Sequence, residues 1–198
     1  MRRLLAVLAL GAGCDNGFLT QQGYEPAQPI AFSHALHSGQ FQINCEYCHF
    51  GAAQSRHSGV PPAQLCLGCH SQVKKDAPDI VALTKAVAEN RPIEWVRVHR
   101  LADYVYFNHS IHVNKGVGCS SCHGQVNQMP LVFQVSSLQM EWCLDCHRNP
   151  ENVLRPKDQV FNMNWQAPAN QAEIGKKLAE ENKIRTTAEL TSCSTCHR

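Results

Sequence analysis

Nowhere in this 198-residue chain do apolar residues run on for the roughly 20 that a helix needs to cross a bilayer core; the longest run, Leu4 to Gly13, is ten. No basic run is long enough to mark a nucleic-acid partner, and the formal charge is only +2. A nucleophile elbow, a phosphate-cradling glycine loop and a carboxylate pair in convincing context are all missing, so the motifs of acyl transfer, nucleotide chemistry and sugar hydrolysis lack support. Strand-like alternation is scarce too: Trp95 to Val98 and Tyr104 to Phe107 are the only candidates, and both are brief.

What the chain does have is cysteine. Ten of its 11 Cys fall into five Cys-x-x-Cys-His motifs: Cys45, Cys48 and His49; Cys66, Cys69 and His70; Cys119, Cys122 and His123; Cys143, Cys146 and His147; Cys193, Cys196 and His197. This is the attachment signature of c-type haem. Two thiols at this spacing add to the two vinyl groups of one porphyrin, and the next residue turns its imidazole onto the iron as the proximal ligand. A thioredoxin-like pair, a disulfide or a zinc knuckle uses Cys-x-x-Cys without needing the following His. Zinc remains the alternative, through Cys and His ligands drawn from two neighbouring motifs. The expectation is five haem c groups. Their propionates would carry the ionised holoprotein to a net charge of about −8. With one porphyrin for roughly every 37 residues, much of the apolar interior is expected to be haem rather than side chains.

The amino terminus reads as an export signal. Arg2 and Arg3 precede the apolar run, and small residues close it, so residues 1–13 are expected to be a signal peptide and 14–30 a linker. The one remaining cysteine, Cys14, stands where a bacterial lipoprotein carries its lipidated residue, although Gly11 occupies the position usual for Leu. Lipidation at Cys14, plain secretion with a free thiol, and a short anchor of another kind are the three readings. Each exports the chain, to the bacterial periplasm at the outer face of the inner membrane.

The motifs start at 45, 66, 119, 143 and 193, so their gaps run short, long, short, long at 21, 53, 24 and 50. A second signature keeps the same period: Phe32-Ser-His34-Ala-Leu-His37 returns 75 residues later as Phe107-Asn-His109-Ser-Ile-His112. The chain thus divides into a two-haem module at 31–105, a second at 106–160 and a tail at 161–198 with the fifth motif, all within one continuous domain, 31–198. His34, His37, His109 and His112 are the expected distal iron ligands. For the fifth, His99 lies in Trp95-Val-Arg97-Val-His99, where alternation puts Arg97 and His99 on one face. One could hold iron and the other a propionate; a propionate or backbone hydrogen bond is the other reading of His99. Met163 is the thioether candidate, because Phe161-Asn162-Met163 echoes Phe107-Asn108-His109, though a Met beside Phe161 and Trp165 also suits a core. Met129 and Met140 are weaker candidates, and His57 reads as a surface residue.

Every motif ends in His and distal candidates are plentiful, which favours electron carriage over catalysis at an open iron. Helices are expected from Pro78 to about Asn90, capped by Asp76 and burying Ile80, Leu83, Thr84 and Val87, and from Gln171 to Asn182, burying Ile174 and Leu178. The haem motifs themselves call for short helical turns. The fold class is therefore mainly α with extensive loop, organised around five covalent haems.

The Phe-x-His-x-x-His signature with paired motifs resembles the cytochrome c7 and c3 class. Four segments, Gln28 to His34, Pro92 to His99, Tyr106 to Cys119 and Met140 to Pro150, further resemble the pentahaem cytochrome c subunit of bacterial alternative complex III, over about residues 24 to 198. The resemblance implies a class III or c7-like fold and favours His99 as a ligand. It also implies membrane association and partners: an iron–sulfur, molybdopterin-enzyme-like subunit as donor, integral quinol-oxidising subunits, and cytochrome c or a terminal oxidase as acceptor. That subunit usually begins with a transmembrane helix, for which this chain has the short segment ending at Cys14, so a lipid anchor is the expectation. A freestanding exported cytochrome serving a periplasmic reductase is the second reading. A structural or metal-storage module built on the Cys/His clusters is the third.

Overall fold

The computed structural model describes residues 20–197; the expected signal peptide and Cys14 lie outside the described residues. The chain is helical and loop-rich, with no strand among the described residues, only isolated antiparallel bridges joining Val105 to His197 and Val117 to Leu154. No helix of the described residues is long and apolar enough to cross a membrane. Each Cys-x-x-Cys pair sits on a helical turn: Cys45–Cys48, Ala63–His70, Cys119–His123, Met140–Arg148 and Cys193–Cys196. The curl that three bonds to one ring require is therefore built into the backbone at every motif. The distal candidates sit on two more turns, a π-helical one at Ala35–Gln40 and an α-helical one at His109–Asn114.

The helix expected at 78 runs Pro78–Ala88, with Pro at its start and Ala77, not Asp76, as its cap. Its buried stripe is Ile80, Leu83 and Ala86 rather than Thr84, whose hydroxyl bonds back to the Ile80 carbonyl. Asp79 at the helix start accepts instead from the Ala31 amide at 3.2 Å, tying the helix to the segment that leads into His34. Ile30, Ile80 and Leu83 make a small core, packed by Ala63, Cys66, Leu67, Ile93 and Trp95. The second expected helix is Gln171–Glu181, and Gly175 is its buried residue, with Ile174 and Leu178 half-buried. That glycine is where the helix rides on the Pro150–Asn152 turn: a Cβ there would lie 2.7 Å from the Glu151 Cα.

Conventional core is thin. Large apolar side chains instead stand exposed in or beside the motifs: Tyr47 within the first, Phe50 directly after His49, Ile111 between His109 and His112, and Met140 on the helix of the fourth. Water-facing groups of this size beside the first and fourth motifs and on the His109–His112 turn are what a large apolar ring, covalently held there, would cover.

Candidate functional site

The two Phe-x-His-x-x-His copies adopt the same side-chain geometry on different turns. Phe32 stacks on His37 (centroids 4.4 Å, interplanar 22°) and meets His34 edge-on (4.9 Å, 85°). Phe107 does the same to His112 (4.6 Å, 25°) and His109 (4.7 Å, 86°). In both copies the second His points Nδ1 at the carbonyl of the residue after the Phe, Ser33 at 2.9 Å and Asn108 at 2.8 Å.

Each of the four candidate histidines faces one motif histidine. His34 lies over His49 with centroids 6.5 Å apart and rings 3° from parallel; His109 lies over His123 at 6.4 Å and 9°; His112 over His147 at 6.3 Å and 19°. His37 faces His70 at 6.1 Å with a 57° tilt. These distances are too long for ring stacking and too regular for chance packing. Two metal–imidazole bonds of about 2 Å, together with the half-widths of the rings, place opposed imidazole centroids about 6 Å apart. The pairs therefore fit one iron each, and pairing stays within each copy of the signature: first His to first motif, second His to second.

The ring nitrogens agree with this. His49 donates through Nδ1 to the Gly59 carbonyl (2.8 Å), His70 to Val73 (2.9 Å), His147 to Leu190 (3.0 Å), His197 to Tyr104 (3.3 Å) and His109 to Arg56 (3.2 Å). A carbonyl can only accept, so Nδ1 carries the proton and Nε2 keeps a lone pair for metal. Burial holds several of these rings neutral. Desolvation, with His49 nearby, lowers His34 to about 4; desolvation, with His99 and His109 nearby, lowers His123 to about 3; and desolvation also lowers His109 and His112.

The thiols are free and unpaired with one another. Burial pushes Cys119 and Cys143 up to about 11 and Cys122 up to about 12. Among the described residues no three His, Cys, Asp or Glu side chains converge to hold a metal ion. The secondary influences on the thiols show which motifs adjoin. Cys66 raises Cys48, Cys45 raises Cys119, Cys146 and Cys143 raise Cys122, and Cys196 raises Cys143. The first motif is thus within electrostatic reach of the second and the third, the third of the fourth, and the fourth of the fifth. Backbone contacts reinforce two of these junctions: His109 and Ser110 bond to Arg56 and Ser55 just after the first motif, and His147 bonds to Leu190 just before the fifth.

The remaining candidates sit differently. His99 is brought to His123, Nε2 to Nδ1 at 3.2 Å, with the rings edge-on at 4.4 Å. The ring beside His197 is that of Tyr104, 5.6 Å away. Met163 is buried, next to Asn162, whose carbonyl accepts from Arg155 at 3.1 Å. Met129 is buried and Met140 exposed, and His57 is exposed as expected of a surface residue.

Sequence reading missed Arg155. It is 5% exposed, donates to the Gln159 and Asn162 carbonyls and to Ser120 Oγ, and lies over the Trp165 ring and against Gly118. Nothing in its flanking sequence marks it; only the fold brings it behind the third motif.

A family model described as cytochrome c7 and related cytochrome c matches residues 105–198. The chain is also 26% identical to the multihaem cytochrome c subunit of menaquinone reductase from Nitratidesulfovibrio vulgaris, with 86% of this chain and 77% of that subunit covered. With the motifs and the imidazole pairs, these likenesses make the chain a c-type multihaem cytochrome whose work is electron transfer.

Proposed function

We propose that this chain is the haem-bearing relay of a membrane respiratory complex that exchanges electrons with quinone, and that it holds five haems. Four would be held between His49 and His34, His70 and His37, His123 and His109, and His147 and His112, with the fifth on His197; the paired cysteines of each motif anchor the ring. The observation that carries this is the set of four imidazole pairs at 6.1 to 6.5 Å. An iron bound between two neutral imidazoles supplies a low-spin one-electron couple with no open position. The protein's part is to fix ring orientation through Nδ1 contacts, to exclude water from the sites, and to hold successive motifs next to one another.

The resemblance to the alternative complex III subunit supports quinol as the source of electrons, an iron–sulfur subunit as immediate donor, and cytochrome c or a terminal oxidase as acceptor. The menaquinone reductase subunit supports the quinone link and a place among other subunits. The complex would sit at the outer face of the bacterial inner membrane, with this chain lipidated at Cys14. For the fifth iron the sequence offers Met163 as the thioether, by the echo of Phe107-Asn108-His109 in Phe161-Asn162-Met163.

The test is purification from native membranes. Five covalent haems by mass on the denatured chain, with iron–sulfur and integral subunits retained and haem reduced by added quinol, are the expected results. Recovery only as a free monomer would leave the freestanding shuttle in its place. A ferric near-infrared spectrum lacking a sulfur-to-iron charge-transfer band would remove Met163.

A further inference from the structure

We infer that His99 is a positioning residue for the third haem site, holding His123 through its Nδ1, and is not itself an iron ligand. The inference rests on the reading of His123 as a proximal ligand. Seven of the nine histidines in or opposite the motifs direct Nδ1 to a backbone carbonyl, and His34 Nδ1 is buried with no partner; His123 alone directs Nδ1 to another side chain.

The nitrogens decide the role. With His109 facing His123 at 6.4 Å, Nε2 of His123 is the metal-facing atom, so Nδ1 carries the proton and donates. The acceptor at 3.2 Å is His99 Nε2. That lone pair is then engaged, and it is the atom by which the imidazole of His99 would otherwise reach an iron. His99 is therefore the neutral tautomer protonated at Nδ1, an outer acceptor that orients the ligand ring and makes it more basic.

The segment carrying His99 is built to stay in place. Gln28 bonds both ways to Val96, its amide donating to the Val96 carbonyl at 3.0 Å and its Oε1 accepting from the Val96 amide at 2.9 Å. Trp95 packs into the Ile30, Ile80 and Leu83 core, and Arg97 Nε donates to the His99 carbonyl at 3.2 Å. The linker between the two pairs of motifs is thus anchored on the first pair and delivers its last side chain to the third motif. An imidazole acceptor at this one site gives the middle member of the series a ligand field unlike its neighbours', and a more basic ligand favours ferric iron.

The decisive comparison is of wild type, His99→Gln and His99→Ala as mature haem-loaded chains. Peptide mass first establishes haem on Cys119 and Cys122; its absence in wild type would defeat the reading of the site, not merely the role of His99. All irons are expected to remain low-spin by electron paramagnetic resonance in both variants. One component of the potentiometric titration should move upward in His99→Ala and return towards the wild-type position in His99→Gln, whose side-chain oxygen can accept the same bond. A new high-spin ferric signal in either variant would mean that His99 is a ligand and overturn the proposal. Unmoved potentials in His99→Ala would overturn it as well. If His99→Ala fails to mature, His99→Gln still decides, because glutamine would leave a ligand-stripped iron high-spin but would preserve a merely oriented one.

Discussion

One benzene ring orients two imidazoles at each Phe-x-His-x-x-His. Because Phe107 stacks on His112 and abuts His109 edge-on, it restrains two rings that face two different motifs, His147 and His123. Phe107→Ala is expected to cost about 1–3 kcal/mol in denaturant unfolding, from lost aromatic contact and burial. It should also broaden two low-spin resonance signals together, whereas a residue serving one site would broaden one. Arg155 works differently. It is buried with no carboxylate in ion-pair reach among the described residues, and its guanidinium donates to three acceptors. Arg155→Ala should therefore destabilise by about 2–4 kcal/mol, measured by chemical unfolding, through three lost hydrogen bonds and a hole beside Gly118. The contrast shows what the residues alone could reveal. A repeated Phe and His at fixed offsets announce themselves, but Arg155 acquires its neighbours from chain segments that local sequence does not connect.

Among the elements, the shortest helices carry the site. Thr187–Leu190 is only four residues, yet its last carbonyl receives His147 Nδ1, and it is held by a capping box between Thr186 and Glu189. Thr186→Ala should cost about 1 kcal/mol of stability by thermal or denaturant unfolding. Its spectroscopic effect should appear at the fourth motif rather than at the nearby fifth. The Gln171–Glu181 helix is fixed by shape: Gly175 lies on the Glu151 carbonyl, so Gly175→Ala must push the helix away from the turn that follows the fourth motif. Overpacking of this kind costs about 1–3 kcal/mol, read from the shift in the denaturation midpoint. Helical periodicity located both long helices to within two residues at their ends. It found the buried Ile80 and Leu83 of the first helix but not Ala86, placed its cap at Asp76 rather than Ala77, and could not mark Gly175, a glycine without hydrophobic signal that makes the closest contact of the second helix.

At the scale of the molecule, the order of motifs in space differs from their order in sequence. Sequence offsets placed each pair of distal candidates ahead of a pair of motifs but could not say which motif each faced, and they offered His99 as a fifth ligand without tying it to any one motif, whereas the fold turns it to the third. They also could not show that the first motif, not the second, abuts the third, because that junction is made by the loop at Ser55 and Arg56 folding onto the His109 turn. The consequence is a line: second, first, third, fourth, fifth. In a line the middle site is indispensable and an end site is not. Cys119→Ser with Cys122→Ser removes the covalent anchor of the third haem and should split the relay into two pairs, so that in the membrane complex a quinol pulse reduces only about half of the remaining haem in the fast phase. Cys193→Ser with Cys196→Ser leaves the other four contiguous, and if the donor docks at the opposite end all of them should still reduce together. Stopped-flow absorbance reads both amplitudes. Full fast reduction after loss of the third haem would show that electrons bypass it and would overturn this order.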